Sequence, residues 1–334
     1  MRILLTGAFG SVGLSTIREL LKQNYKVRCF DLKTKLNEKK SKMFGSDIEI
    51  IWGDIQDKND VCNAVKGQDI VIHLAFIIPP VSELKPNWAW EVNVEGTRNL
   101  LSSMKKLEKP PKIIFTSSVS VFGKTQKKVP PHMITDPVQP TDNYSHHKVA
   151  CEQLVKISGL DWAIFRLGAV LAANLCDINP MLFQVPLDTR IELIHPDDIG
   201  LAFTNAIGNK EVWKKTLLIG GGGSCQIYQY EFVKKVLDII GIGMLPRRAF
   251  SMSSFYIDWM NTAESQRILN YQQRSLDDFI EDIKRLLGFK RYLIRAIQPV
   301  IRYWLLKKSP YVYKKAQDKN RAVLKKKPTI PAIS

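Results

Sequence analysis

The sequence predicts an α/β fold: a doubly wound parallel sheet, then a smaller C-terminal domain, then a basic helical tail. Three observations carry this. Short apolar runs alternate with helical stretches through the first half of the 334 residues. A glycine-rich turn joins the first run to the first helix. The alternation becomes irregular after Arg166, and basic residues take over after Gly288. Alternating strand and helix puts helices on both faces of a parallel sheet, and strands buried on both faces read as near-continuous apolar runs.

The elements follow in order. "RILLT" is an apolar run bounded by glycine, and "LSTIRELLKQN" has helical spacing in Leu14, Ile17, Leu20 and Leu21. "KVRCF", "IEIIWG" and "DIVIHLA" read as further strands. "WAWEVNVEGTRNLLSSMKKL" reads as one long helix within 86–107. "KIIFTSS" is a strand, the stretch 144–158 a helix and "WAIFRLG" a strand. Beyond Arg166, "HPDDIGLAFTNAIG" opens with capping chemistry, Asp197 and Asp198 being its simplest caps. "TLLIGGGG" is a strand that ends in a glycine turn, and "QYEFVKKVLDIIG" and "SLDDFIEDIKRLLG" are helices. The expected division is a dinucleotide-binding domain over 1–165 and a mainly substrate-binding domain over 166–288. A strand near 216–220 returns to the sheet, and the tail covers 289–334.

Composition is that of a globular protein, 45% hydrophobic and 24% charged. No apolar run is long enough to span a bilayer. The first residues already read as a strand, so no signal peptide is expected, and the protein is expected in the cytoplasm. Cys29, Cys62, Cys151, Cys176 and Cys225 are scattered without metal-ligand spacing, which suits a reducing compartment. The net charge of +17 is local. From Phe289 onward there are 13 Lys and Arg against one acid, Asp318, which leaves +5 for the first 288 residues. Charge is therefore a property of the tail, and no nucleic-acid recognition motif accompanies it.

"TGAFGSVG" places Gly7, Gly10 and Gly13 after a strand and at the start of a helix. Glycine there permits a tight turn, brings backbone N–H groups close to a pyrophosphate and aims a helix N-terminus at it. Asp31 ends the second strand, 18 residues beyond Gly13. A carboxylate at that place accepts hydrogen bonds from ribose hydroxyls and repels a 2′-phosphate, which favours NAD over NADP. Lys33 is close enough in sequence to soften that preference.

"YSHHK" puts Tyr144 and Lys148 four residues apart, on one face of a helix. A nearby ammonium would favour a phenolate and lower the Tyr144 pKa toward working pH. His146 and His147 lie off that face and read as surface or interface residues. His73 reads as a core or strand-end residue, and His195 stands at a helix start.

TGxxGxxG resembles the short-chain dehydrogenase/reductase superfamily, with its Rossmann-type sheet, and further motifs follow in order. "GDI" at 53–55 resembles the adenine-contacting aspartate motif, with Asp54. "HLAF" at 73–76 resembles HLAA, "NVEGT" at 93–97 resembles NVxGT, and "SSVSVFG" resembles SSxxVYG with Phe122 for Tyr. Together with YxxxK they resemble the extended branch, the NAD-dependent epimerase/dehydratase family. That resemblance implies Tyr144 as proton-transfer group, Lys148 on the nicotinamide ribose and Ser118 on the substrate oxygen, Ser117 being the neighbour to distinguish. It implies cofactor contacts from Gly7, Phe9, Gly10, Ser11, Val12 and Gly13 in the turn. Asp31, Asp54 and Ile55 follow, then Leu74, Ala75, Phe76, Asn93 and Leu167, with Tyr144 and Lys148. It also implies a homodimer through the helices at 86–107 and 144–158.

Departures from the family narrow the chemistry. Sugar 4,6-dehydratases carry an Asp–Glu pair after the Ser, where this chain has Val119 and Ser120. The RPxNVYGP-like segment of nucleotide-sugar enzymes is replaced by "FRLGAVLAAN". The expectation is a dehydrogenase/reductase that interconverts a small secondary alcohol and a ketone, with a hydrophobic or lipid-like substrate in view. "FIIPP", "FQVPL", Trp88 and Trp90 could line an apolar pocket or fill a core. A sugar-type epimerase and a non-catalytic nucleotide-sensing scaffold are the alternatives. In the tail, Leu293, Ile297, Val300, Ile301 and Trp304 fall on one helical side, and Arg291, Arg295 and Arg302 on the other. Residues 289–315 thus suit an anionic membrane surface, against a helix packed on the body.

Overall fold

The computed structural model describes residues 1–171 and 181–312. Cys176 and the basic residues of 313–334 lie outside the described part. The strands are β1 (Arg2–Thr6), β2 (Lys26–Asp31), β3 (Ile48–Trp52), β4 (Ile70–His73), β5 (Lys112–Ser118), β6 (Trp162–Leu167), β7 (Ala169–Val170), β8 (Arg190–Ile194), β9 (Lys215–Ile219) and β10 (Gln226–Tyr228). The first seven helices are α1 (Ser11–Lys22), α2 (Lys35–Ser41), α3 (Lys58–Val65), α4 (Val81–Leu84), α5 (Pro86–Trp90), α6 (Gly96–Lys105) and α7 (Asn143–Lys156). The others are α8 (Met181–Gln184), α9 (Pro196–Ile207), α10 (Gln229–Ile240), α11 (Ala263–Leu269), α12 (Leu276–Leu287), α13 (Lys290–Ala296) and α14 (Gln298–Lys308).

Seven strands form one parallel sheet in the order β3-β2-β1-β4-β5-β6-β9. β9 returns to the sheet at its edge, with Leu167 in register with Ile219. β10-β8-β7 form a smaller sheet. The strand period of two splits β1 between two cores. Ile3 and Leu5 join a cluster with Ile17 of α1 and Ile199 and Phe203 of α9, while Leu4 joins one with Val61 of α3, Leu100 of α6 and Cys151 of α7. Both faces are therefore covered, which is why the middles of the central strands are runs of apolar residues, as in Ile3–Leu5, Ile70–Ile72 and Ile113–Phe115.

The chain divides into two compact units, each made of separate stretches. The larger takes Met1–Ala172, Arg190–Ile227 and Tyr256–Phe279. The smaller takes Ala173–Thr189, Tyr228–Phe255 and Ile280–Ser334. The domains of the sequence reading, 1–165, 166–288 and 289–334, are consecutive, and the fold interleaves them. The smaller unit has its own core of Phe183, Val233, Leu237, Ile242, Phe250 and Leu305. Phe183 and Leu187, from "FQVPL", are core residues of that unit.

The helix expected over 86–107 runs from Pro86 to Lys105, with a change of pitch inside it. A wide π-turn over Glu91–Glu95 separates α5 from α6. The Asn93 carbonyl there accepts from Thr97 Oγ1 at 2.5 Å and Cys151 Sγ at 3.3 Å. Side chains thus take over a backbone acceptor at the turn.

Candidate functional site

Parallel strands deliver their C-terminal ends to one edge of the sheet, and the predicted residues gather there. In register, Thr6 of β1 pairs with His73 of β4, His73 with Phe115 of β5, and Ser118 with Leu167 of β6. The glycine turn, Leu74–Phe76 and Ser118 thus share an edge. A surface cavity of about 530 Å³, lined by Arg2, Lys26 and Glu49 among others, sits at the opposite ends of β1–β3.

Gly7 has φ +65, and a Cβ on it would stand 2.7 Å from the Ala75 nitrogen. A Cβ on Gly13 would stand 2.3 Å from the Ala8 carbonyl oxygen. These positions admit glycine because backbone crosses backbone there. Gly10 caps α1 without a side-chain hydrogen bond, so the N–H groups opened by Ser11 and Val12 are not taken by a side-chain cap. The Phe9 ring is buried against Trp52, and its N–H donates to Asp31 Oδ2 at 2.9 Å. Burial raises the Asp31 pKa, and hydrogen bonds from Phe9 and Leu32 and the charge of Lys40 work against that. Lys40 Nζ also reaches the Phe9 carbonyl at 2.7 Å. The cation beside Asp31 is therefore Lys40; Lys33 pairs with Glu38 at 3.8 Å. A cradle that side chains would fill, an uncapped helix end and a strand-end carboxylate fit a dinucleotide.

The other predicted contacts divide. Asp54 Oδ1 accepts from the Gln56 N–H, and Ile55 is buried against Gly96. Leu74 and Ala75 N–H groups both reach Thr6 Oγ1 at 3.2 Å. Asn93 is fully buried; its amide bonds both backbone groups of Ile77 and His147 Nδ1. It holds the segment after β4 in place.

His147 is thus corrected: it is 3% exposed, bonded to Asn93, with Trp90 edge-on at 5.3 Å. The i+3 direction from Tyr144 turns it inward against the π-turn, which the sequence did not disclose. His146 is exposed. His73 sits in the core between Thr6 Oγ1 at 2.7 Å and Thr97 Oγ1 at 3.0 Å, and burial drives its pKa down to about 3. The cap of α9 is His195, whose Nδ1 accepts from the Asp197 N–H. Asp197 instead accepts from Ser15 Oγ at 2.7 Å, and Asp198 from the Gln273 and Arg274 N–H groups.

The Ser118 and Tyr144 side chains face one another, near enough for the Ser118 hydroxyl to lower the Tyr144 pKa. Ser117, on the opposite face of β5, donates to Glu152 Oε1 at 2.6 Å. Glu152 also pairs with Arg166 Nη2 at 2.8 Å, both side chains buried. Burial pushes the Glu152 carboxyl up, but the Arg166 and Ser117 hydrogen bonds hold it below its ordinary value. This network ties β5, β6 and α7 together behind the site.

Lys148 is 3% exposed and donates to the Thr116 carbonyl at 2.6 Å. Its Nζ stands 3.4 Å from the Phe76 ring centroid and 5.6 Å from that of Tyr144. Phe76 meets Tyr144 edge-on at 5.7 Å. The expected depression of the Tyr144 pKa by Lys148 is not present in this state. Burial lifts the phenol to about 12, the neighbouring Ser118 hydroxyl pulls it down and the charge of Asp142 pushes it up. Burial also takes the Lys148 ammonium down to about 7. Desolvation penalises both charged forms and is the largest cause at each group.

Some neighbours were not found in the sequence. Glu83 accepts from the Asn143 and Tyr144 N–H groups at 3.2 and 3.1 Å, which holds the start of α7. Asp142 and Ser145 form a capping box on the same helix. Tyr256, from a distant part of the chain, comes near Asp142, and burial together with the charge of Asp142 raises the Tyr256 pKa. The Thr116 and Ser120 hydroxyls are buried without a partner, one on each side of Ser118. Periodicity carries no signal for such long-range meetings.

A parallel α/β sheet with a glycine cradle and a Ser–Tyr–Lys constellation at its C-terminal edge defines a dinucleotide-dependent enzyme class. Residues 3–183 match the family described as "NAD dependent epimerase/dehydratase family", and the chain belongs to it. A "Putative UDP-glucose 4-epimerase" from Methanocaldococcus jannaschii is 30% identical, covering 86% of this chain and 98% of that protein. A "Sterol demethylase protein B" from Methylococcus capsulatus is 27% identical over 54% of this chain and 55% of that protein. The chain spans about half or less of the first curated relatives it matches, 51%, 38% and 55% of their lengths. Among solved structures, a Bacillus cereus UDP-glucuronic acid 4-epimerase in complex with UDP-glucuronic acid and NAD has a TM-score of 0.72 at 22% identity. It is matched over 86% of this chain and 100% of its own. A short-chain dehydrogenase/reductase superfamily protein from Agrobacterium tumefaciens with bound NAD has a TM-score of 0.71 at 19% identity. There the coverage is 87% and 100%. These likenesses place the fold.

Proposed function

We propose that the protein binds NAD and interconverts a small-molecule secondary alcohol and a ketone, with Ser118, Tyr144 and Lys148 as its catalytic residues. The gathering of the Ser118 and Tyr144 hydroxyls with Lys148, whose Nζ stands 5.6 Å from the Tyr144 ring centroid, carries this reading. NAD, when bound, supplies the hydride acceptor. The Gly7–Gly13 turn and the start of α1 would hold the pyrophosphate, and Asp31 the adenosine ribose. Ser118 and Tyr144 address the substrate oxygen. Tyr144 takes its proton during oxidation and returns it during reduction. Loss of the Tyr144 proton needs a positive charge beside it, and protonated Lys148 supplies that charge. Ser118 donates a hydrogen bond where negative charge gathers. Phe76 makes this corner apolar, which suits a hydrophobic substrate. Val119 and Ser120 offer no acid for water elimination.

A second reading, epimerisation through transient oxidation, is favoured by the relative that spans 86% of the chain and bears the name of a putative UDP-glucose 4-epimerase. The homodimer through the α5–α7 region belongs to the same proposal, and light scattering tests it.

Calorimetry with NAD, NADH, NADP and NADPH is the first experiment. NAD(H) should bind more tightly than NADP(H), and Asp31→Ala should weaken NAD by about 10- to 100-fold, as for a lost charged hydrogen bond. Absence of binding by any of the four would sink the reading. Net NADH formation with secondary alcohols marks the dehydrogenase; conversion of a sugar nucleotide without net NADH marks the epimerase.

A further inference from the structure

The smaller unit shows an amphipathic arrangement with two apolar faces. Inward, α13 and α14 seat Ile294, Ile301, Leu305 and Leu306 in that unit's core. Arg302 and Gln298 fasten the same face by donating to the Ile242 carbonyl at 2.8 and 2.7 Å. The sequence reading placed Ile301 with the outer apolar residues and Arg302 opposite them; in the fold both belong to the inner face.

Outward, the two helices repeat one pattern. Phe289, Tyr292, Leu293 and Ile297 run along the first at i, i+3, i+4 and i+8, all exposed. Val300, Tyr303 and Trp304 run along the second at i, i+3 and i+4, all exposed. Exposure of these side chains runs from 49% for Trp304 to 73% for Phe289, far beyond isolated surface hydrophobics. Packing within the unit does not require this stripe, since the opposite face already fills the core.

Charge selects the occupant. Residues 289–312 hold six Lys and Arg and no Asp or Glu. Cationic heads lie among the outward rings: Arg291 over Tyr292 at 4.8 Å, Lys307 over Tyr303 at 4.6 Å and Lys308 over Trp304 at 3.8 Å. A second copy of this chain would bring a like charge of +17 to the contact. A nucleic acid would satisfy the cations and leave the aliphatic side chains wet. We infer that the outward face of α13 and α14 docks on an anionic lipid surface, its aromatic and aliphatic ladder entering the headgroup boundary and its cations meeting lipid phosphates and carboxylates. Among the described residues no helix is long and apolar enough to cross a membrane, so the contact is interfacial.

The test is co-sedimentation of the full chain with phosphatidylcholine vesicles, with and without phosphatidylserine. Wild type should sediment with the phosphatidylserine vesicles. Phe289→Ser/Val300→Ser/Trp304→Ser should lower partitioning by about tenfold or more. Lys290→Gln/Lys308→Gln should lower it by about tenfold on phosphatidylserine vesicles, an effect that high salt removes. A wild type that stays in the supernatant overturns the inference. So does equal sedimentation of the serine variant, or a change of oligomeric mass in that variant, which would assign the face to a second copy. Should that variant misfold, brominated lipid decides: quenching seen in wild type must vanish in Trp304→Phe, and unchanged quenching overturns the docking.

Discussion

At the scale of residues, the site is governed by burial more than by attraction between charges. Tyr144 and Lys148 are both pushed toward their neutral forms. Lys148 keeps its proton to about pH 10.5 in the unfolded chain and loses it near 7 in the fold. Between those values the unfolded chain binds more protons, so stability rises with pH across that window. Lys148→Met removes the cost of burying the ammonium. Its thermal midpoint should exceed that of wild type most near pH 7, with the gap shrinking toward about pH 10. A gap that is constant with pH would mean that Lys148 keeps its proton in the fold. On turnover, Tyr144→Phe should lower kcat by about 10²- to 10⁴-fold and Ser118→Ala by about 10²-fold, with NAD affinity measured by calorimetry nearly unchanged in both.

At the scale of elements, the geometry rests on how β5, β6 and α7 are pinned. Ser117, Glu152 and Arg166 form a buried ion-paired network there. Removing one partner strands a buried charge, so Glu152→Ala should cost about 3–5 kcal/mol in chemical denaturation. A loss under about 1 kcal/mol would show the network to be dispensable. The glycine turn is a second pinned element. Gly13→Ala puts a methyl 2.3 Å from the Ala8 carbonyl oxygen, and the backbone of either the turn or α1 must move. NAD affinity should fall with stability in that variant, whereas Gly159→Ala, where a Cβ meets open space, should lose stability through its positive φ with NAD affinity intact.

At the scale of the whole molecule, the C-terminal stretch from 289 belongs partly to the fold. Leu305 is fully buried in the core of the smaller unit. Leu305→Ala should destabilise that unit by about 2–5 kcal/mol, and a chain ending at Gly288 should lose its cooperative melt. A truncated chain with an unchanged calorimetric profile would return those helices to the status of a tail. The basic character read from the sequence is real, but the fold gives it an inner face to pack and an outer face to present.

What the sequence determined on its own was local or strictly periodic. The apolar strand runs named the parallel sheet, and the places of Asp31 and Ser118 at strand ends and of Tyr144 and Lys148 on one helix were legible because such positions follow from neighbours in the chain. Tertiary structure decided the rest, because each case depends on groups far apart in sequence. Asn93 reaches His147, Lys40 rather than Lys33 approaches Asp31, Tyr256 meets Asp142, and Ile301 turns inward. It also decided the direction in which the Tyr144 and Lys148 pKa values move. A spacing of four residues sets their common helix face, but burial, for Lys148 beside Phe76, Phe115 and the Thr116 carbonyl, pushes both toward their neutral forms.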